Sequence, residues 1–213
     1  MAEAGVAHAA YPLAEPGLWV ERVGARVFAA GRPALFLDRD GTINVDTGYP
    51  DDPEKMVLLE DIVPAIAAAN RRGLPVVIVT NQSGIARGYY GWAEFAAVNG
   101  RVLDLLRARD AFVDMVLACA YHDVGDGPLA IADHPMRKPN PGMLVEAAKR
   151  LGIDLARSII VGDKPADMEA GRRAGLPLGF LVDGAASDQP GFTVMPLGGR
   201  ADREALLAAV EAL

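Results

Sequence analysis

Short, nearly unbroken apolar runs alternate along this chain with stretches whose apolar residues recur every three or four positions. The runs fall at 34–37, 75–79, 112–118 (interrupted by Asp114), 158–161 and 178–182. Runs of this length without polar alternation predict strands covered on both faces, as in a parallel sheet. The periodic stretches predict helices over 61–72, 92–109, 141–151, 165–174 and 201–212. Asp61 stands where it would cap the first, with Ile62, Ile66 and Ala69 on one side and Gly73 at its end. Asn99-Gly100 weakens the second, and Gly152 and Gly175 close the third and fourth. Alternating strands and helices predict one doubly wound, Rossmann-like α/β domain over 33–213, with a parallel sheet and helices on both faces. The connections leave no room for a large cap domain. Residues 1–32 read as an N-terminal arm. Its first 17 residues are rich in Ala, Pro and Gly, and 18–30 alternate partly, as in a short edge hairpin.

In such sheets ligands bind beyond the carboxyl ends of the strands, so the residues that follow each strand matter most. Asp38-Arg39-Asp40-Gly41-Thr42 follows the first run and Thr80-Asn81-Gln82-Ser83-Gly84 the second. Arg137-Lys138-Pro139 precedes the third helix, and Gly162-Asp163-Lys164 follows the fourth run, with Asp167 beyond it. Asp38 and Asp40 leave a strand end on similar sides and repel each other unless a cation intervenes. With Asp163 they make a hard-oxygen set suited to Mg²⁺. Asp38 is placed to attack phosphorus, and Asp40 to protonate a leaving oxygen and later deprotonate water. Gly41 permits close backbone approach to phosphate. Lys138 would hold the phosphoryl group, and the N–H groups at Ser83-Gly84 would cradle its oxygens.

Each cluster also has a plainer reading: an acidic turn, a polar loop, a solvated lysine, or Asp163 and Asp167 as helix caps. A calcium loop is a further alternative, since Thr42, Asn44 and Asp46 continue the alternation. Tyr49 stands where its closing Glu belongs.

Composition narrows the classes. A net charge of −7 carries no basic footprint for nucleic acid. No apolar run reaches the ~20 residues of a membrane span, and the N-terminus lacks the features of a secretory signal. The single cysteine excludes an intrachain disulfide and suits a reducing cytoplasm. The expectation is a cytoplasmic protein, monomeric rather than assembled, acting on a small phosphorylated metabolite.

The order of these motifs over residues 33–183 resembles the haloacid dehalogenase superfamily of phosphatases. The resemblance implies Asp38 as nucleophile, Asp40 as acid/base, Thr80 and Lys138 as phosphate-binding groups, and Mg²⁺ held by Asp38, the Asp40 carbonyl and Asp163, with Lys164 and Asp167 in support. Longer strings are more specific: Leu37–Asn44, Gly48-Tyr49, Thr80–Gly88 and Arg137–Met143 are similar to the heptose 1,7-bisphosphate phosphatase family and, less closely, to histidinol-phosphate phosphatases. This implies a phosphomonoesterase acting through a phospho-aspartyl intermediate on a sugar bisphosphate such as D-glycero-D-manno-heptose 1,7-bisphosphate. Its substrate-binding residues would be Arg39, Asp46, Gly48, Tyr49, Asn81, Gln82, Ser83, Arg87 and Arg137. Heptose phosphatases often carry a zinc loop, Cys-x-His…Cys-x-Cys. Here Cys119 matches its first ligand, Tyr121 replaces the His, and His134 and Met136 replace the later cysteines. Only Cys119, His122 and His134 remain as ligands, so zinc is disfavoured. From another class, a receiver-like phospho-switch would also use an acidic Mg²⁺ site, but Asp40 supplies acid/base chemistry that a stable switch would avoid. A non-catalytic binding protein is the remaining alternative.

Overall fold

The computed structural model describes residues 11–125 and 127–213. Nine strands form one sheet: β1 (Leu13–Glu15), β2 (Leu18–Arg22), β3 (Leu35–Leu37), β4 (Val76–Asn81), β5 (Met115–Cys119), β6 (Ile159–Gly162), β7 (Leu178–Val182), β8 (Ser187–Gln189) and β9 (Phe192–Leu197). Their order is β1-β2-β5-β4-β3-β6-β7-β9-β8. The strands from β5 to β9 run parallel, and antiparallel β2 and β8 flank them.

Side-chain alternation along the strands builds two cores. Leu35, Leu37, Val76 and Ile78 face α1 (Val63–Arg71), α3 (Trp92–Arg107) and α6 (Arg200–Ala212). Ala34, Phe36, Val77 and Val79 face α4 (Gly142–Leu151) and α5 (Pro165–Arg173). Both faces are therefore covered, as the unbroken apolar runs require. Asn99-Gly100 does not break α3, because Phe95, Val98, Val102 and Leu106 anchor that helix with no exposed surface.

Three local expectations are corrected. Asp61 does not cap α1; a short 3₁₀ turn precedes the helix, and Asp61 pairs with Arg203 at 2.7 Å. The edge hairpin spans 13–22 rather than 18–30, and β2 continues the sheet beyond β5. Its Gly17 sits where a Cβ would come within 2.8 Å of the Tyr121 ring. Beyond β7, β9 adds an unforeseen parallel strand. Residues 1–10, the start of the expected arm, lie outside the described residues.

From β3 the chain steps to β4 and β5 on one side, then crosses to β6 and β7 on the other. The strand order therefore reverses between β3 and β6, which is where doubly wound sheets open a crevice. Asp38 follows β3 and Asp163 follows β6, so the two arrive from either side of that point.

Candidate active site

A cleft of about 270 Å³ opens there, lined by Asp38, Asp40, Thr80, Lys138, Lys164 and Asp167, among others. Asp38 continues the parity of Phe36 and points toward the α4/α5 side. There Lys138 Nζ reaches Asp38 Oδ1 at 2.8 Å, Asp167 Oδ1 at 2.5 Å and the Val79 carbonyl at 2.7 Å. All three side chains are nearly fully buried. Burial pushes the Asp38 carboxyl up to about 7; Lys138 opposes this, and the Asp167 charge adds to it. Lys138 is itself shifted further upward: burial acts against its charge, but Asp167 and Asp38 overcome it.

Asp167 also accepts from the Lys164 N–H at 3.0 Å, at the start of α5. This approach needs Gly162, because a Cβ there would collide with the Asp167 carboxylate. Oxygens of Asp38, Asp163 and Asp167 lie within 4.8 Å of one another. Asp163 Oδ1 is buried without a hydrogen-bond partner. A Cβ at Gly41 would come within 2.5 Å of Asp163 Oδ2, so the turn holds that carboxylate close to Asp38. An orphaned carboxylate oxygen beside a second carboxylate fits a divalent cation of the Mg²⁺ type.

Asp40 has a different environment. Arg39 donates to it through Nε at 3.0 Å and Nη2 at 2.8 Å, Asn44 through Nδ2 at 3.0 Å, and Gln82 through Nε2 at 2.9 Å. Burial alone would raise its pKa. The Arg39 charge and the donors from Arg39, Asn44 and Gln82 outweigh burial and hold it below the usual carboxylate value.

Several expected substrate contacts are engaged elsewhere. Arg39 has no exposed surface; its guanidinium lies 5.1 Å from the Phe95 ring centroid. It shares the parity of Leu35 and Leu37, which turns it away from Asp38. Asn81 lines the cleft, but its amide bonds the Lys138 main chain. Arg87 lies 3.1 Å from His122 Nε2, and Arg137 donates to the Tyr121 carbonyl at 3.1 Å. Arg137 lines a second cleft of about 210 Å³ that shares Lys138 with the first. Asp46, Gly48, Tyr49, Gln82 and Ser83 line the first cleft. Lys164 bridges Asp46 at 3.5 Å and Asp163 at 3.4 Å. Two residues were not foreseen as site residues. Tyr90 donates to Gln82 Oε1 at 2.5 Å, and Asn44 holds Asp40.

Among the described residues, Cys119, His122 and His134 do not meet as a metal-binding group. Cys119 is fully buried, and burial pushes its thiol up to about 11. His134 instead stacks on Tyr121 with centroids 3.9 Å apart. Glu15 of the hairpin accepts from the Tyr121 hydroxyl at 3.1 Å and lies 3.5 Å from His134 Nε2. This aromatic and polar contact ties Tyr121 and His134 to the N-terminal hairpin.

The haloacid dehalogenase-like hydrolase model matches residues 10–175. The chain belongs to that family. It is 69% identical over 203 residues to a D-glycero-beta-D-manno-heptose-1,7-bisphosphate 7-phosphatase of Mesorhizobium japonicum, covering 95% of this chain and 94% of that one. An enzyme of the same name from Escherichia coli K12 is 40% identical over 150 residues, covering 70% of this chain and 78% of its own. Among solved structures, a HAD-like phosphatase from Mesorhizobium loti superposes with a TM-score of 0.94 at 69% identity, covering 95% and 97% of the two chains. The D,D-heptose 1,7-bisphosphate phosphatase of B. bronchiseptica, complexed with magnesium and phosphate, gives 0.66 at 30% identity, covering 84% and 97%. Within this hydrolase family the chain therefore groups with phosphatases.

Proposed function

We propose that the chain is a Mg²⁺-dependent phosphatase that hydrolyses the 7-phosphate of a heptose 1,7-bisphosphate. The observation that carries this reading is that Asp38, on the cleft and bound to Lys138 at 2.8 Å, has a carboxylate oxygen within 4.8 Å of one from Asp163, whose Oδ1 is without a partner. Asp38 and Asp163, with the Asp40 carbonyl, would hold the cation, while Lys138 occupies Asp167. Mg²⁺ in that position would neutralise charge between an anionic carboxylate and an anionic ester.

Asp38 attacks phosphorus, and the P–O bond to the sugar breaks. The leaving oxygen takes a proton from Asp40. Its four donors favour the carboxylate form of Asp40; the bound dianion beside it raises its proton affinity for this step. Asp40 then takes a proton from the water that hydrolyses the phospho-aspartate and restores Asp38. Lys138 keeps its charge throughout and balances the phosphoryl oxygens.

Arg137, which lines the second cleft that shares Lys138 with the first, favours a substrate with a second anionic group over a monophosphate. The β-anomer follows the name of the 69% identical relative. A 40% identical relative from Burkholderia mallei is named for the α-anomer. Phosphate release should be measured with Mg²⁺ on both heptose bisphosphate anomers, a heptose monophosphate and histidinol phosphate. The expected result is a kcat/KM for the β-bisphosphate above all others. Equal rates across the panel would overturn the substrate, and no release from any ester would overturn the phosphatase.

A further inference from the structure

We propose that Arg39, Gln82 and Tyr90 form a positioning network that fixes the Asp40 carboxylate against the cleft for proton transfer, a role that rests on the phosphatase reading above. An ionised carboxylate accepts through both oxygens. Here Arg39 Nε and Asn44 Nδ2 donate to Oδ1, Arg39 Nη2 and Gln82 Nε2 donate to Oδ2, and the side chain keeps 13% exposure on the cleft, where a proton can pass. The carboxylate plane is thereby set before any substrate arrives.

Gln82 is the joint of this network. Its Nε2 donates to Asp40 at 2.9 Å and to Thr80 Oγ1 at 2.8 Å. Its Oε1 accepts from the Tyr90 hydroxyl at 2.5 Å and from Arg39 Nη2 at 3.3 Å. Arg39 donates to that oxygen and cannot accept, and the Asp40 carboxylate accepts and cannot donate, so a flipped amide would face donor against donor and acceptor against acceptor. The Tyr90 hydroxyl, donating to the same Oε1, reinforces the orientation that presents N–H to Asp40. Asp40 itself is reached by only one turn of chain, so the hold from β4 and the loop before α3 fixes it in three dimensions.

The burial of Arg39 points to function rather than stability. A fully buried guanidinium with an unpartnered Nη1 is a costly choice for packing over Phe95, where an apolar side chain would serve the core as well. What only Arg39 supplies is the side-on pair of donors to Asp40.

Proton transfer to the leaving oxygen matters for a sugar alkoxide and little for a nitrophenolate, which departs without a proton. The test therefore compares kcat/KM for the best sugar phosphate with that for p-nitrophenyl phosphate, in the wild-type chain, Gln82→Leu and Tyr90→Phe. General acid catalysis contributes about 10²–10⁴-fold, so Gln82→Leu should lose roughly 100-fold on the sugar phosphate and Tyr90→Phe about 5-fold. Both should lose clearly less on p-nitrophenyl phosphate than on the sugar phosphate, and an unchanged circular-dichroism spectrum should report that the variants fold. Equal losses on both substrates would overturn the positioning role, as would no loss on either. A crystal structure of Gln82→Leu with the Asp40 carboxylate unmoved would overturn it independently of rates. A wild-type chain that releases no phosphate from any ester would remove the phosphatase reading and this role together, whereas an active parent with indifferent variants removes this role alone.

Discussion

Asn81 and Lys138 grip each other across the sheet: the Asn81 amide donates to the Lys138 carbonyl at 2.9 Å and accepts from the Lys138 N–H at 3.1 Å. Fifty-seven residues separate them in the chain. The pair mimics one rung of a strand ladder and sets where the Lys138 ammonium stands relative to Asp38. Asn81→Ala leaves a buried N–H and carbonyl without partners, a cost of roughly 1–3 kcal/mol in urea unfolding. It should also lower kcat/KM by about 10- to 100-fold through misplacement of the ammonium. Unchanged kinetics would mean that the Val79 and Asp167 contacts suffice to hold Lys138.

Asp38→Asn should abolish turnover with the fold intact, and its stability should carry a pH signature. Burial raises the Asp38 pKa from 3.8 to about 7. The raised folded-state value means that the stability it contributes is present below the unfolded pKa and is lost as pH rises through about 7. Asparagine does not titrate. In metal-free protein the difference in Tm, variant minus wild type, should therefore grow between about pH 4 and pH 7.5. A difference independent of pH would contradict the raised value.

Cation binding should follow the same titration in reverse. EDTA should inactivate the protein and Mg²⁺ restore it. Protons compete for Asp38, so the Mg²⁺ concentration for half-activation should rise about tenfold per pH unit below about 7. Asp163→Ala removes the orphaned carboxylate and should raise that concentration by more than the about 10- to 100-fold typical of outer-shell partners. Mg²⁺ activation unaffected by Asp163→Ala would place the cation elsewhere.

Cys119 should behave as a core residue. Its thiol, pushed up to about 11 by burial, is protonated at pH 8 and inaccessible. Iodoacetamide should leave it unlabelled by mass spectrometry in the native protein and label it fully in urea. Zinc-selective chelators should leave both activity and Tm unchanged. Loss of Tm on chelation would show a metal in the 120–136 loop in place of the Glu15–Tyr121–His134 contact.

Much of the architecture was legible because burial on both faces leaves a simple mark. The runs that became β3, β4, β6 and β7 are apolar but for Ser158 at the start of one, and no helix of comparable length competes for them. β9 left no such mark: its Phe192–Leu197 segment alternates, carries Pro196 and lies near the sheet edge. The hairpin was displaced for a related reason. Pairing of β2 with β5 depends on a partner nearly a hundred positions away, which local alternation cannot report. In the candidate site, Asp38 and Asp163 were readable as charges that follow strands, and Lys138 as a charge that precedes a helix. Arg39, expected as a substrate contact, is buried with its guanidinium on Asp40 and Phe95, a placement that follows its shared parity with Leu35 and Leu37. Tyr90 gave no signal, since a tyrosine pair between two glycines, Gly88-Tyr89-Tyr90-Gly91, has many uses.

The order of apolar runs and charged strand ends determined the layered sheet and the chemical inventory of its rim, because hydrophobic burial and backbone pairing act on local pattern. Which charges would be free to act was decided only by the tertiary structure. Lys138 takes up Asp167 and leaves Asp163 an unpartnered oxygen, while Arg39 turns inward and surrounds Asp40 with donors. Those assignments depend on contacts of about 3 Å, several of them between residues far apart in the chain such as Lys138 and Asp38 or Gln82 and Asp40, and at that range the partner, more than the residue type, sets what a charged group can do.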